Sequence, residues 1–374
     1  MSSEKHLHVI SFDIPYPPDY GGVIDVFYKL KALNEAGIQI HLHCFEYGRT
    51  HASELKEICR KVHYYPRHTA RSQLFNTLPY IVLSRQSDQL RKNLLKDNYP
   101  VLMEGLHSTF LLSDKSLAGR RKIVRTHNVE HDYYENLAKV ERNIFKKYYF
   151  YNEAGKLKKY ENVLEQADMV AAISPNDRKY YAGLFKKVEY VPAFHPFDDV
   201  KIEKGIGNYV LYHGNLSIGE NNEAALYLVN RIMPGLKLQL KIAGSKPSKE
   251  LIRAVRNCAN AELITDKSPA EIYSLISQAH CNVLPTFQAT GIKLKFLAAL
   301  FLGRYCLVNS PMVKDTGLES LCTIADSESE MKASLKKIMK LGSFSEAEIE
   351  KRRKILNEKF SNAVNAKKLV RLIF

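Results

Sequence analysis

Residues 208–215, NYVLYHGN, followed by NNEAALYLVNRIM at 221–233 and LKLQLKIAG at 236–244, are the stretch on which the fold turns. An apolar run of strand length closes on Gly214 and Asn215, a helical stretch follows, and a second apolar run closes on Gly244. Strand, helix, strand with short connections predicts a parallel pair joined by a crossover helix. Its place in the chain makes it decisive. It begins where a polar stretch with Pro and Gly, AFHPFDDVKIEKGIG (193–207), ends, and that stretch reads as a linker. A chain of 374 residues also exceeds the roughly 250–300 at which one core stops growing. Two α/β domains are expected.

Downstream the cycle continues with SKELIRAVRNCAN (helix), AELITD (strand), PAEIYSLISQA (helix), HCNVLP (strand), KLKFLAALFLG (helix) and YCLVNS (strand). Upstream of the linker the same alternation runs from HLHVISFDI (strand) and VIDVFYKLKALNEAG (helix) to ADMVAAIS and VEYVP (strands), with one long helical segment over 129–165. Each half predicts a parallel sheet covered by helices on both faces. The expected domains are 1–195, 206–342, and a basic helical segment, 343–374, that crosses back to the first domain. His6 and His8 alternate on the first strand, which reads as a half-exposed edge rather than as a ligand pair.

Composition narrows the function classes. With 45% hydrophobic and 25% charged residues the chain is ordinary for a globular protein. No apolar run approaches the roughly 20 residues of a membrane span, and the N-terminus shows no signal-peptide pattern. The six cysteines are scattered singly, which suits free thiols in the cytoplasm. The net charge of +15 is spread evenly over the two halves, with no nucleic-acid module, and suits anionic substrates or an anionic membrane face.

Several short strings sit at strand ends where chemistry is done. Gly21 and Gly22 close Pro17-Pro18-Asp19-Tyr20-Gly21-Gly22, between the first strand and helix; Arg125-Thr126-His127-Asn128-Val129-Glu130 closes a strand and opens a helix. His127 and Glu130 there suit general base work or hydroxyl recognition. Thr290-Gly291-Ile292-Lys293-Leu294-Lys295 feeds a helix, so free amides, a positive dipole end and two lysines converge on one turn. With the strands ending at Asn215 and Gly244, these strings resemble the GT-B glycosyltransferases of the family 4 type, over nearly the whole chain.

The resemblance implies two Rossmann-like domains facing an interdomain cleft and a metal-independent, cytoplasmic transferase with no cofactor. A nucleoside-diphosphate sugar would be the donor and a glycan or lipid-linked acceptor the partner, with retention of configuration, in polysaccharide biosynthesis. It implies donor binding by Asn215, Gly244, Thr290, Gly291, Ile292, Lys293, Leu294 and Lys295, and a cleft loop at Gly21 and Gly22. His107, Glu104, His127 and Glu130 become the catalytic candidates, His107 and Glu104 coming from the strand PVLMEGLHST although strict register puts Gly105 in the family's histidine place. The pattern also departs from the family. Thr290 and Ala298 stand where two Glu are usual, and Asn215 and Asn221 where Arg and Lys are usual. These departures keep a second reading open, a non-catalytic GT-B-like binding or partner subunit. A related-fold epimerase lacks support, since no paired carboxylates stand at strand ends. Finally, VERNIFKKYYFYNEAGKLKK (140–159) interleaves lysines with Phe145, Tyr148, Tyr149, Phe150 and Tyr151. Either it touches an anionic membrane peripherally, or its aromatics pack inward and its lysines form a solvated face.

Overall fold

A computed structural model describes residues 4–70, 73, 76–141, 143–287 and 293–374. Its contacts divide the chain into two compact units, one of residues 1–196 with 360–374 and one of residues 197–359.

The first unit is built on a seven-stranded sheet: β1 (Lys5–Ser11), β2 (Ile38–Glu46), β3 (Lys61–Pro66), β4 (Val101–Glu104), β5 (Lys122–Thr126), β6 (Met169–Ala172) and β7 (Val188–Tyr190). The order is β3-β2-β1-β4-β5-β6-β7 and every pairing is parallel. The second unit holds six strands: β8 (Val210–His213), β9 (Leu240–Ala243), β10 (Ala261–Ile264), β11 (Cys281–Leu284), β12 (Tyr305–Val308) and β13 (Thr323–Ile324). Their order, β10-β9-β8-β11-β12-β13, is again all parallel. In each sheet the order reverses beside the first strand, between β1 and β4 and between β8 and β11. At such switch points the strand C-termini leave a crevice for ligands.

The helix Gly21–Glu35 shows how sequence becomes packing. Val23, Val26, Leu30 and Leu33 recur at helical spacing and are buried in one core with Leu7, Val9, Ile40 and Leu42 of β1 and β2. Asp25 and Lys29 fall on the same buried face. The segment 129–165 is not one helix: it divides into the α-helices Glu130–Val140 and Ile144–Tyr160 and a 3₁₀ helix, Glu161–Gln166. Asn143 starts the second, its Oδ1 accepting from the amides of Phe145 and Lys146 at 3.0 and 3.1 Å.

His6 and His8 do not lie on an edge. β1 is the third strand of its sheet and His8 is buried. Burial is tolerated because the imidazoles satisfy one another: His6 Nδ1 lies 3.0 Å from His41 Nε2, and His8 Nδ1 lies 2.8 Å from His43 Nε2. His43 Nδ1 continues to the Tyr65 hydroxyl at 2.7 Å, and His8 Nε2 meets Asp97 at 3.0 Å. His63 stacks on His43, with ring centroids 5.0 Å apart. Five histidines thus run across β1, β2 and β3.

The C-terminal helices part company. Glu346–Phe360 belongs to the second unit up to Lys359, whereas Asn362–Ile373 belongs to the first. There Ala366, Leu369 and Ile373 join the core of Leu7, Val9 and Ile38. Asn362 pins the return: its Nδ2 donates to the His195 carbonyl at 2.7 Å, its Oδ1 accepts from the His195 amide at 3.2 Å, and His195 Nε2 lies 2.7 Å from the Phe360 carbonyl.

Candidate functional site

In the first unit the C-terminal ends of β1, β4 and β5 carry a buried charged network. Glu104 ends β4 with its carboxylate wholly buried. Lys29, also fully buried, donates to Glu104 Oε2 and to Asp25 Oδ2, both at 2.8 Å. Arg125 holds the other side of Asp25 at 3.0 Å and donates to the Val191 and Pro192 carbonyls. Burial disfavours both carboxylates, yet Lys29, Arg125 and His127 outweigh it, so Asp25 and Glu104 are held below the usual carboxylate range. His127 Nε2 lies 3.0 Å from Glu104 Oε2. A carboxylate oxygen can only accept, so Nε2 carries the proton of that bond.

Beside it, His107 Nδ1 lies 3.9 Å from Glu130 Oε1. Burial, aided by the Arg85 charge, holds His107 well below the ordinary imidazole range and therefore neutral. Burial and the charge of Asp177 push Glu130 up to about 8, which leaves it a protonated acid at neutral pH. Two glycines make the arrangement sterically feasible. Gly105, at φ +67°, turns the chain after β4 so that the His107 ring folds back, and a Cβ there would meet His107 Nδ1 at 2.9 Å. At Gly22 a Cβ would meet the Phe12 ring at 2.8 Å, and Phe12 packs 5.4 Å from both His107 and His127. Gly21 faces open space at the N-terminus of a helix whose first turn has no side-chain cap. Four buried polar atoms here, Glu104 Oε1, His107 Nδ1, Glu130 Oε1 and Thr126 Oγ1, have no hydrogen-bond partner. Orphaned atoms of this kind mark places where a ligand can complete the bonding.

The structure therefore brings His107, Glu104, His127 and Glu130 to one end of one sheet. Asp25, Glu104 and His127 also offer three ligand atoms within 4.8 Å of one another, the one such grouping among the described residues. The Lys29 ammonium already takes the place of a cation between the two carboxylates. A cavity of about 600 Å³ opens nearby, lined in part by Asp13, Asp19, Tyr20, Tyr47 and Arg49. Asp25 and Lys29 escaped the sequence reading, as did Asp13, Tyr47 and Arg49 of the cavity, whereas Asp19 and Tyr20 belong to the string that ends at Gly22. A signal existed for the first two, charges at i and i+4 on the helix face that also carries the core leucines and valines.

In the second unit Thr290, Gly291 and Ile292 lie outside the described residues. Lys293 precedes the helix Leu294–Leu302, whose N-terminus has no side-chain cap. Lys293 is not isolated, since its ammonium lies 3.5 Å from Glu220 Oε2. Lys295 turns inward, donating to Asn221 Oδ1 at 2.7 Å and the Tyr212 hydroxyl at 3.2 Å. Burial lowers it to about 8, despite the opposing charge of Glu220. Asn221 Nδ2 in turn donates to the Asn215 carbonyl at 2.9 Å, and Asn215 Oδ1 accepts from the Ser217 amide at 3.0 Å. Gly244 packs directly on the Gly214 carbonyl, which draws the ends of β8 and β9 together. His213, ending β8, is buried and brought down to about 3, with its Nε2 unpartnered.

No family model matches the chain. A Klebsiella pneumoniae protein described as "Uncharacterized 44.6 kDa protein in cps region" is 30% identical over 314 residues, covering 78% of this chain and 79% of that one. Among solved structures, a glycosyltransferase from Rickettsia africae superposes with a TM-score of 0.66 at 11% identity, covering 99% and 98% of the two chains. An E. coli trehalose-6-phosphate protein bound with UDP-2-fluoro glucose gives 0.62 at 12% identity, covering 98% and 99%. An Arabidopsis thaliana protein complexed with UDP-L-rhamnose gives 0.61 at 13% identity over the full length of both. The fold is the GT-B fold of glycosyltransferases.

Proposed function

We propose, for a chain that belongs to the family of the Klebsiella pneumoniae cps-region protein, transfer of a sugar from a nucleoside-diphosphate sugar to a glycan or lipid-linked acceptor. The observation that carries this reading is the pair of GT-B sheets, each chemically equipped at its strand C-termini. The cps-region relative favours an acceptor in capsule polysaccharide assembly, and the family 4 resemblance favours retention. In the second unit, the uncapped start of Leu294–Leu302 with Lys293 and Lys295 suits a departing diphosphate, as a helix dipole and ammonium groups stabilise developing negative charge. In the first unit, His127, held at Nε2 by Glu104, suits reception of a hydroxyl hydrogen bond through Nδ1, while Lys29 keeps Glu104 charged against the nearby Asp25 carboxylate and Asp25 helps hold Lys29 in place. Protonated Glu130 beside His107 adds a donor for a sugar oxygen. The Lys29 bridge makes a metal dispensable at those carboxylates.

A second reading, a GT-B binding or partner subunit without catalysis, draws on Ala298. This position is a buried methyl group where a ribose-binding carboxylate is usual in the resembling family. One experiment separates the two. UDP, GDP, ADP and TDP at millimolar concentration are screened by thermal shift, and sugar donors of the nucleotide that shifts are followed for hydrolysis. Transfer predicts one shifting nucleotide, with hydrolysis abolished by His127→Ala while the shift persists. A shift without hydrolysis of any donor supports the binding subunit. The absence of any shift overturns nucleotide-sugar use altogether.

A further inference from the structure

The helix Ile144–Tyr160 has two unlike faces. Glu153, Ala154 and Leu157 are buried, and Phe150 packs edge-on to Tyr134 with centroids 6.0 Å apart. The opposite face leaves Ile144, Phe145 and Tyr148 exposed at 74, 82 and 74%, with Tyr151 at 45%. At 3.6 residues per turn, 144, 148, 151 and 155 form one stripe, and Phe145 lies one step around. The face continues through exposed Gly155 to exposed Lys158 and Lys159. The preceding helix adds Val140, exposed at 57%. So the aromatics divide between the two arrangements left open by the sequence, Tyr149 and Phe150 half-buried and Phe145, Tyr148 and Tyr151 outward.

An apolar stripe of this size is not left bare on a protein without use. Its charge pattern selects the occupant. Between residues 143 and 160 the only carboxylate is Glu153, which is buried, so this helix presents lysines outward without one acidic side chain, and Glu141 before it accepts from the Asn143 amide at 2.8 Å. Two copies of such a face would bring lysine against lysine, and an acidic surface would not. Among the described residues no helix is long and apolar enough to cross a membrane, so the contact is with a surface. We propose that this face docks on an anionic lipid bilayer: Ile144, Phe145, Tyr148 and Tyr151 enter at headgroup depth, and Lys158 and Lys159 meet lipid phosphates. The inference stands apart from glycosyl transfer, since it needs neither nucleotide nor acceptor.

The test is vesicle sedimentation of the intact chain with phosphatidylcholine alone or mixed with phosphatidylglycerol, at low and high salt. The protein is expected to pellet with the anionic vesicles and to leave them as salt rises. Ile144→Ser with Phe145→Ser is expected to weaken binding by roughly tenfold or more, with an unchanged melting temperature because both side chains are exposed. Lys158→Glu with Lys159→Glu is expected to weaken it on anionic vesicles only. Equal recovery in the supernatant with both lipids at low salt overturns the proposal. So does self-association that the serine variant abolishes while vesicle binding is absent, which would make the face a contact between copies.

Discussion

Lys295, proposed above to face the donor diphosphate, is a residue whose charge can be tested directly. Its two hydrogen-bond partners, Asn221 and Tyr212, are neutral, and burial has brought it to about 8. Its charge is therefore largely present at pH 7 and is lost as the pH rises through about 8. If it faces the donor, nucleoside-diphosphate affinity holds at neutral pH and falls by up to tenfold per unit above about pH 8. Lys295→Met should bind roughly ten- to a hundred-fold more weakly and lose that dependence. Calorimetric titrations across this range check it, and a wild-type profile flat to about pH 9.5 would place Lys295 away from the nucleotide. His127 and Glu130 could be singled out in the sequence because they are three positions apart at a strand-to-helix junction. Lys29 could not be tied to them. Its partner Glu104 is 75 residues away, and only the sheet order that sets β4 beside β1 brings the two together.

At the scale of elements, the histidine row across β1–β3 links the sheet to pH. Burial lowers His8, His43 and His63 and takes His41 to about 4, with neighbouring imidazoles and the charges of Arg120, Lys61 and Lys96 adding to it and Asp97 opposing it. The unfolded chain binds protons at these sites near pH 6.5, whereas the folded chain does not until lower pH. The stability these histidines contribute is thus complete above about pH 7 and falls as the pH drops from about 6.5 toward 4, by about 1.4 kcal/mol per pH unit for each proton taken up only on unfolding. Urea midpoints measured from neutral to mildly acidic pH test this, and His41→Gln should flatten the decline. A His41→Gln variant whose midpoint declines between about pH 7 and 5 as steeply as the wild type contradicts it. The alternation of His6 and His8 on the first strand reads as a half-exposed edge, because periodicity cannot register that imidazoles of neighbouring strands satisfy each other. Strand and helix succession was legible almost throughout. The two-residue β13 and the helix Glu328–Ile338 after it went unread, although Ser327 and Glu330 form a capping box.

For the whole molecule, the chain leaves the first unit at Pro196 and re-enters it at Phe360. Leu369 and Ile373 are fully buried in the core of the first unit, and their helix packs against Gly21–Glu35. Leu369→Ala should cost about 2–5 kcal/mol, and removal of 362–374 should cost more. Thermal melting checks both, and an unchanged melting temperature in the truncated chain would make that helix dispensable. The restart of the α/β cycle after the linker was written plainly in the sequence, and with it the GT-B fold. Which core claims each C-terminal helix was not, because two basic amphipathic helices look alike until their apolar residues find partners. Since His195 and Asn362 clamp exit to return, residues 197–359 amount to an insert in a host that closes only afterwards. A ribosome delivers the whole insert before it delivers Asn362–Ile373. The insert can reach its native state while its host still waits with Leu7, Val9 and Ile38 incompletely covered, and that interval is when a chaperone has something to hold.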